Sequence, residues 1–251
     1  MFSLRLSSNV TKWQIFKLSI PIFFSNLAIP LVGIVDTGLM GHLESEKYLI
    51  AVSIASTFFT MILWSFGFLR MGTVGLVSQT FGKSDYRELV NIIFRNFCIA
   101  FIIAFLIIIF KPILINIIFQ IFAVSPETNS FIKDYISIRV FSAPAELIIY
   151  VLIGFFLGIQ RTIISSFLII TLSLLNICFS IYFVNVLGLN VKGVAFGTLM
   201  SAYITVLSFS VYMYFYIIKR FKVILPLALC CGSSGFFGEP LQPIIKIKGI
   251  E

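Results

Sequence analysis

Six long apolar runs, separated by short polar segments, restrict the fold of this chain more than any other feature of its sequence. The runs cover approximately residues 14–39, 48–79, 90–119, 132–158, 163–187 and 194–218. A bilayer has a hydrocarbon core about 30 Å thick, which an apolar helix of roughly 20 residues crosses. Backbone groups in lipid must be satisfied internally, and the alternating pattern of a transmembrane barrel is absent. The sequence therefore predicts an all-α polytopic membrane protein with six transmembrane helices.

The composition and the motif inventory restrict the function class. Of the 251 residues, 59% are hydrophobic and 11% are charged, which is too little charge for the surface of a soluble domain. The basic residues lie at the ends of apolar runs, so we expect the lipid bilayer as a partner and no nucleic acid. Nucleotide-binding and hydrolase motifs are absent, and the single His42 and four cysteines without CxxC spacing support no metal site. We predict neither an enzyme nor a protein with a bound cofactor.

Basic residues near the ends of the runs predict the orientation in the membrane. One set of loops and ends holds Arg5, Lys12, Lys17, Lys83, Arg87, Arg161, Lys219, Arg220 and Lys222. The opposite set holds Lys47, Lys111, Lys133 and Lys192. The positive-inside rule then predicts a multi-pass protein of the cytoplasmic (inner) membrane with both termini in the cytoplasm. We expect residues 1–13 to be a cytoplasmic N-terminus, 14–222 the six-helix lobe, and 223–251 a tail without fixed structure.

Two acids are predicted to lie well within spans. Asp36 follows the apolar run of "PLVGIVDTGLMGHL", and Glu146 lies in the fourth span. An ionisable group in the membrane is costly and is commonly functional. The alternative for each is a structural carboxyl with satisfied hydrogen bonds. For Glu146 this alternative has a named partner, because Arg139 lies seven residues earlier on the same helical face.

Small polar residues form stripes on the last two spans. On the fifth span Ser173, Asn176 and Ser180 share one helical face. Thr198, Ser201 and Thr205 have the same spacing on the sixth span. Such residues can simply allow close helix packing, but together with a carboxylate they would suit a proton or Na⁺, because hard cations prefer oxygen ligands.

Prolines and glycines in the spans predict local geometry. Pro21 and Pro30 each remove a helical hydrogen bond from the first span and can bend it. A bend would allow the helix segment that carries Asp36 to move. For the glycines of the second and fourth spans we expect close helix packing; they are Gly67, Gly72, Gly75, Gly154 and Gly158.

Four segments resemble the multidrug and toxic compound extrusion (MATE) transporters, in particular their DNA-damage-inducible (DinF-like) branch. "LSIPIFFSNLAIPLVGIVDTGLMGHL" is similar to the first helix of that branch, and "GFLRMGTVGLVSQTFGKSD" to the end of its second helix. "LIGFFLGIQRT" resembles the end of the fourth helix, and "GLNVKGVAFGT" the connection between the fifth and sixth. The resemblance covers about residues 10 to 222 in collinear order.

The resemblance implies an antiporter for multidrug and xenobiotic efflux, which exports small organic, often cationic compounds in exchange for H⁺ or Na⁺. Family members have twelve helices in two lobes, and this chain resembles the N-terminal lobe only. The resemblance implies that Asp36 binds the coupling cation or proton, beside Asn176 and Thr198, and that the first helix bends at Pro21. The partner of this lobe would be a second six-helix lobe or a second copy of the chain.

One departure from the family pattern concerns the coupling ion. Many relatives have Asn, three residues and then Asp on the fifth helix, whereas "NICFS" has Ser180 in place of the acid. This favours a proton over Na⁺, with Ser180 in the coupling site and Glu146 as a candidate second acid. The alternative functions are an inactive truncated remnant of such a transporter, or a membrane scaffold or flippase.

Overall fold

The computed structural model describes residues 12–43, 45–122 and 125–221, in which every regular element is a helix. The helices are α1 (Lys12–Gly41), α2 (Glu46–Ser65), α3 (Phe68–Gly82), α4 (Tyr86–Ile109), α5 (Lys111–Ile121), α6 (Pro126–Arg139), α7 (Ala143–Gly158), α8 (Thr162–Ile181) and α9 (Asn190–Phe221). A 3₁₀ turn joins α6 to α7, and a π-helical turn follows α8. The predicted N-terminal segment and tail lie outside the described residues, except that residues 12 and 13 begin α1.

The helices form six membrane-spanning rods. Five stretches of the described chain are long and apolar enough to cross a bilayer: Glu46–Gly82, Tyr86–Ile109, Pro126–Gly158, Thr162–Val186 and Asn190–Lys219. The sixth rod is α1, whose 30 residues correspond to about 45 Å of helix. Many large apolar side chains are exposed on the outside of the bundle, including Met71, Phe167 and Leu207. An apolar surface of this extent is expected for a face that meets lipid. The predicted fold class is confirmed.

Three of the rods are interrupted where the apolar runs predict continuous helices, and the third of these breaks is the 3₁₀ turn between α6 and α7. The run 48–79 is divided by a turn at Phe66 and Gly67, between α2 and α3. The prediction of one continuous helix over 90–119 is wrong, because α4 ends at Ile109 and α5 is a separate helix of 11 residues. Pro112 lies in the first turn of α5, where its missing N–H costs nothing but where it cannot continue an earlier helix.

The fourth rod, which consists of α6 and α7, lies at the centre of the bundle. In its most apolar stretch 72% of the residues are buried, compared with 28% to 39% in the other four stretches. Its two helices meet at the 3₁₀ turn Val140–Ser142, just before Pro144. Proline cannot donate to the carbonyl four residues earlier, which here belongs to Val140. The Ser142 hydroxyl donates to the Arg139 carbonyl at 2.6 Å and stabilises the turn.

Glycines of α7, rather than those of α3, permit the closest helix contact in this part of the bundle. A Cβ at Gly154 would lie 2.6 Å from Cβ of Thr73 and 2.8 Å from the Arg70 carbonyl oxygen. A Cβ at Gly158 would similarly lie 2.6 Å from a methyl group of Val77. The expectation of close packing is therefore confirmed for the two α7 glycines.

The same expectation is wrong for two glycines of α3. A Cβ built at Gly72 or at Gly75 meets no atom within 4 Å. Both glycines lie on the side of α3 that faces away from α7. A helix contact needs only one small residue at each crossing point, so a glycine pattern alone does not tell which helix supplies it.

Two ion pairs connect helices at one end of the bundle. Lys47, at the start of α2, pairs with Glu127 at the start of α6. Lys192, in the first turn of α9, lies 3.2 Å from Asp134 of α6. Lys47 and Lys192 therefore lie at the same end, as the distribution of basic residues requires. Which end faces the cytoplasm stays a prediction.

A first prediction concerns the contact between α3 and α7. Gly154→Ala should lower the free energy of unfolding by about 1–3 kcal/mol, because the added methyl group meets backbone as well as a side chain. Gly72→Ala is the matched control and should leave stability unchanged or raise it, since alanine is the better helix former. Thermal unfolding of the purified proteins in detergent measures both changes. Equal stability of the two variants would contradict the packing described here.

A second prediction concerns orientation. In a variant without native cysteines, Glu46→Cys should react with a membrane-impermeant maleimide added to intact cells, because the positive-inside rule places it outside. Lys83→Cys should react only after the cells are permeabilised. Both positions are exposed in the structure, so accessibility of the side chain does not distinguish them. The reverse labelling pattern would show that the chain has the opposite orientation in the membrane.

Candidate functional site

A cavity of about 750 Å³ lies between α1, α2, α6, α7, α8 and α9. It brings together residues from five of the six rods, which is typical of binding sites in helix bundles. The charged residues that line it, within the described chain, are Asp36, Arg139 and Glu146. Asn176 and Thr198 also line it. Four of the candidate coupling residues, namely Asp36, Glu146, Asn176 and Thr198, therefore share one cavity.

A short chain of hydrogen bonds connects α8 to α9 at the cavity wall. The Asn176 amide donates to the Thr198 hydroxyl at 3.0 Å, and Thr198 donates to the Val194 carbonyl at 3.1 Å. Behind them, the Ser180 hydroxyl donates to the Asn176 side-chain oxygen at 3.4 Å. The predicted stripe of α8 therefore lies on one buried face, and two of its three members, Asn176 and Ser180, are hydrogen-bonded to each other.

The backbone of α9 comes very close to Ser180. A Cβ at Gly197 would lie 2.7 Å from both the amide nitrogen and the hydroxyl oxygen of Ser180. Glycine is therefore required at this position if α8 and α9 keep their separation. This contact explains why Ser180 is fully buried, and Ser180 is not among the residues that line the cavity.

Asp36 reaches the cavity from α1. Its carboxylate lies beside the Ser180 side chain and within electrostatic range of Arg139. Its Oδ1 atom is buried and has no hydrogen-bond partner in the part of the chain that the structure describes. A buried oxygen without a partner is costly and calls for a functional explanation. Both interpretations of Asp36, a coupling group and a structural carboxyl with satisfied hydrogen bonds, stay predictions, because its carboxylate also interacts with the Ser180 side chain.

The first-span prolines are near Asp36 in sequence, but α1 is a single continuous helix from Lys12 to Gly41 through both Pro21 and Pro30. Pro30 itself lines the cavity. The role of the two prolines as bending points stays a prediction.

Glu146 is paired, as its spacing from Arg139 predicted. The Arg139 guanidinium donates to Glu146 and to the Ser142 hydroxyl, and Ser142 also donates to Glu146 at 2.8 Å. The guanidinium carbon lies 4.7 Å from the centre of the Phe59 ring, which is a cation–π distance. Only 8% of the Arg139 side chain and 17% of the Glu146 side chain are exposed. Removing one partner of a pair as buried as this typically costs about 3–5 kcal/mol.

One side of the cavity carries hydroxyl groups that the sequence reasoning missed. Ser53, Ser56, Thr57 and Thr60 line it from α2. Their spacing in "SIASTFFT" places them on one helical face, so the signal was present but is easily lost in an apolar run. Trp64, one turn further along, is 75% exposed and also lines the cavity.

Two tyrosines of the fourth rod were also missed. Tyr135 is buried, lines the cavity and forms a hydrogen bond with Arg139. Tyr150 lines the cavity one turn after Glu146. Aromatic residues at helical spacing in a span usually indicate packing, so nothing in the sequence distinguishes these two from the other tyrosines.

No group of three or more His, Cys, Asp or Glu residues that could hold a metal ion occurs among the residues that the structure describes. The ligands available at the cavity are instead oxygens of carboxylates, amides and hydroxyls. Such ligands suit a proton or a hard cation.

Comparisons of this chain with a family model and with known proteins point to the same family. The family model described as MatE matches residues 21–182. DNA damage-inducible protein F of Escherichia coli K12 is 32% identical over 201 residues, which are 80% of this chain and 43% of that protein. Multidrug and toxin extrusion protein 1 of Danio rerio is 31% identical over 212 residues, 81% of this chain and 34% of that protein. The chain thus spans less than half the length of these relatives.

Solved structures give the same fold. The outward-facing form of a multidrug resistance MATE family transporter of the MOP superfamily superposes with a TM-score of 0.73 at 23% identity. The match covers 82% of this chain and 45% of that one. The described bundle therefore has the fold of one lobe of such a transporter.

Proposed function

The chain belongs to the MatE family of membrane transporters, and on this premise we propose that it exports small organic compounds across the cytoplasmic membrane in exchange for protons. Its relatives include proteins named as multidrug export and multidrug extrusion proteins. Membership in this family identifies a multi-pass membrane protein and supports transport rather than enzyme activity. The coupling ion, the substrate and the working assembly are parts of the proposal.

The observation that carries the proposal is the position of Asp36. Its carboxylate lies in a cavity large enough for a small organic molecule, and its Oδ1 atom has no hydrogen bond from the described residues. A proton or the positive charge of a substrate would satisfy that oxygen. Since both compete for one carboxylate, binding of one favours release of the other, which is the thermodynamic requirement for exchange.

We propose a proton rather than Na⁺ as the coupling ion. A sodium site needs several oxygen ligands around the ion, and relatives often supply a second carboxylate at the position of Ser180. Here the Ser180 hydroxyl is hydrogen-bonded to Asn176, and the Asn176 amide is hydrogen-bonded to Thr198. Proton binding needs only the Asp36 carboxylate. The hydrogen-bonded chain then holds α8 and α9 in place, while α1 carries the group that changes charge.

The working unit in this proposal has two lobes. Alternating access in two-lobed carriers moves one bundle against the other around a central site. The cavity described here is the half of such a site that this lobe contributes. The opposing half would come from a second six-helix lobe or from a second copy of the chain in the same orientation.

A third prediction tests the exchange at Asp36 without requiring a complete transport cycle. Tetraphenylphosphonium, a monovalent organic cation, should release up to one proton per bound ion when it is added to the purified protein at a pH at which Asp36 is largely protonated before the cation binds. Asp36→Asn should bind the cation more weakly and release no proton. A pH indicator dye in weakly buffered solution measures the release, and calorimetry measures the binding.

Asp134→Asn is the matched control for this experiment. It makes the same chemical change at an acid that pairs with Lys192 outside the cavity, so proton release should be unchanged. Proton release by Asp36→Asn equal to that of the unaltered protein would remove Asp36 from the coupling mechanism.

A fourth prediction concerns the assembly. The chain reconstituted alone as a monomer should not accumulate a fluorescent organic cation in liposomes when a pH gradient is imposed, because the cavity then lacks its opposing half. Coexpression with a second MATE-type lobe should restore movement that depends on the gradient. Transport by the isolated monomer, lost in Asp36→Asn, would show that one lobe is sufficient.

A further inference from the structure

We propose that Glu146 sets the charge preference of the cavity: by neutralising Arg139, it leaves the Asp36 carboxylate as the net charge and so selects cationic over anionic ligands. This role differs from that of a second proton-binding acid. The inference deepens the proposed function, because it names the residue that determines the class of substrate.

Three charged side chains of the described chain face the cavity: those of Asp36, Arg139 and Glu146. Among the described residues that line it, two carboxylates and one guanidinium sum to a formal charge of −1. Tyr135 and Tyr150 are the other titratable groups of the lining and are neutral at physiological pH. When Asp36 takes up a proton, the net charge of the lining becomes zero. A cation is therefore favoured in one state of Asp36 and no longer favoured in the other.

Arg139 would reverse this preference if it were not paired. Its guanidinium is a permanent positive charge at physiological pH, it is buried, and it already acts on the Asp36 carboxylate. If Arg139 and Asp36 were the only charged residues of the lining, the net charge of the cavity would be zero with Asp36 ionised and positive with Asp36 protonated. Such a cavity would have no state that attracts a cation.

The geometry assigns the neutralising role to Glu146. Its carboxylate accepts from both the Arg139 guanidinium and the Ser142 hydroxyl, and these three groups lie at the 3₁₀ turn between α6 and α7. Arg139 is also held by Tyr135 and by the face of the Phe59 ring. Because these groups hold the guanidinium of Arg139 in place, it stays paired with Glu146. The pair therefore acts as a neutral unit beside Asp36, whose Oδ1 atom has no such partner.

The test compares two ions of nearly equal size and opposite charge, tetraphenylphosphonium and tetraphenylborate. Their affinities are measured by calorimetry on the purified chain in phosphatidylcholine nanodiscs at alkaline pH, with empty nanodiscs to subtract binding to lipid. The unaltered protein should prefer the cation. Glu146→Gln should weaken cation binding about tenfold and strengthen anion binding about tenfold, which is the effect of a unit charge about 10 Å away at an effective dielectric constant of about 20.

The double variant Arg139→Gln/Glu146→Gln separates charge from structure. It removes the pair but restores the formal charge of −1, so the preference for the cation should return to within about threefold of the original. Arg139→Gln alone raises the negative charge of the cavity and should strengthen the preference. This variant tests the same rule in the opposite direction if Glu146→Gln does not purify as a folded protein.

Glu88→Gln provides the matched control. Glu88 also pairs with an arginine seven residues away, Arg95, at 2.9 Å, but it lies on α4 outside the cavity. Its removal should leave both affinities unchanged. Parallel losses of both ions in Glu146→Gln, or no return of the preference in the double variant, would overturn the proposal and leave the pair with a structural role only.

Failure of this inference can be distinguished from failure of the proposed function. If Asp36→Asn abolishes proton release while Glu146→Gln leaves the ratio of the two affinities unchanged, the exchange mechanism holds and the role of Glu146 is wrong. If the ratio changes as expected but no proton is released, the cavity selects cations without coupling them to protons.

Discussion

The buried ion pair between Arg139 and Glu146 is the interaction on which the arrangement of this lobe depends. Little of either side chain is exposed, so the two charges depend mainly on each other. The pair also fixes where α6 gives way to α7, because its third member, Ser142, lies in the 3₁₀ turn that precedes Pro144. The central rod therefore has a local break and a charge cluster at the same point, and the surrounding rods pack around both.

The six rods, the pairing of Glu146 and the polar face of α8 could be predicted from the sequence. Each rests on a periodic or local signal: the length of an apolar run, a spacing of seven residues, or small polar residues at helical intervals. The helix breaks at Phe66 and at Phe110 were missed because the spans were bounded by hydropathy, which reports transfer into lipid and not the continuity of backbone hydrogen bonds. Pro112 was a sequence signal for the second break, because proline cannot continue a preceding helix. The orientation of the α3 glycines was missed for a related reason, since only tertiary contacts tell which face of a helix is buried.

The candidate site was predicted unevenly. Asp36, Asn176 and Thr198 come together at one cavity, and an acid in an apolar run is a strong signal because its cost must be offset. The hydroxyl groups of α2 were missed because serine and threonine are tolerated in spans without any specific purpose. Their contribution becomes visible only when the fold shows that four of them face the same cavity as Asp36.

The composition of α6 has a consequence for biosynthesis. This helix carries Glu127, Lys133, Asp134 and Arg139 within 14 residues, so it is a poor candidate for insertion into the bilayer by itself. Its neighbours are α2, which is synthesised earlier, and α9, which is synthesised last among the described helices, and Lys192 of α9 pairs with Asp134. The polar half of the central rod is therefore fully covered only once α9, the last of the described helices, has been synthesised. A nascent chain that has not yet made α9 leaves Asp134 without Lys192, its ion-pair partner at that end of the bundle.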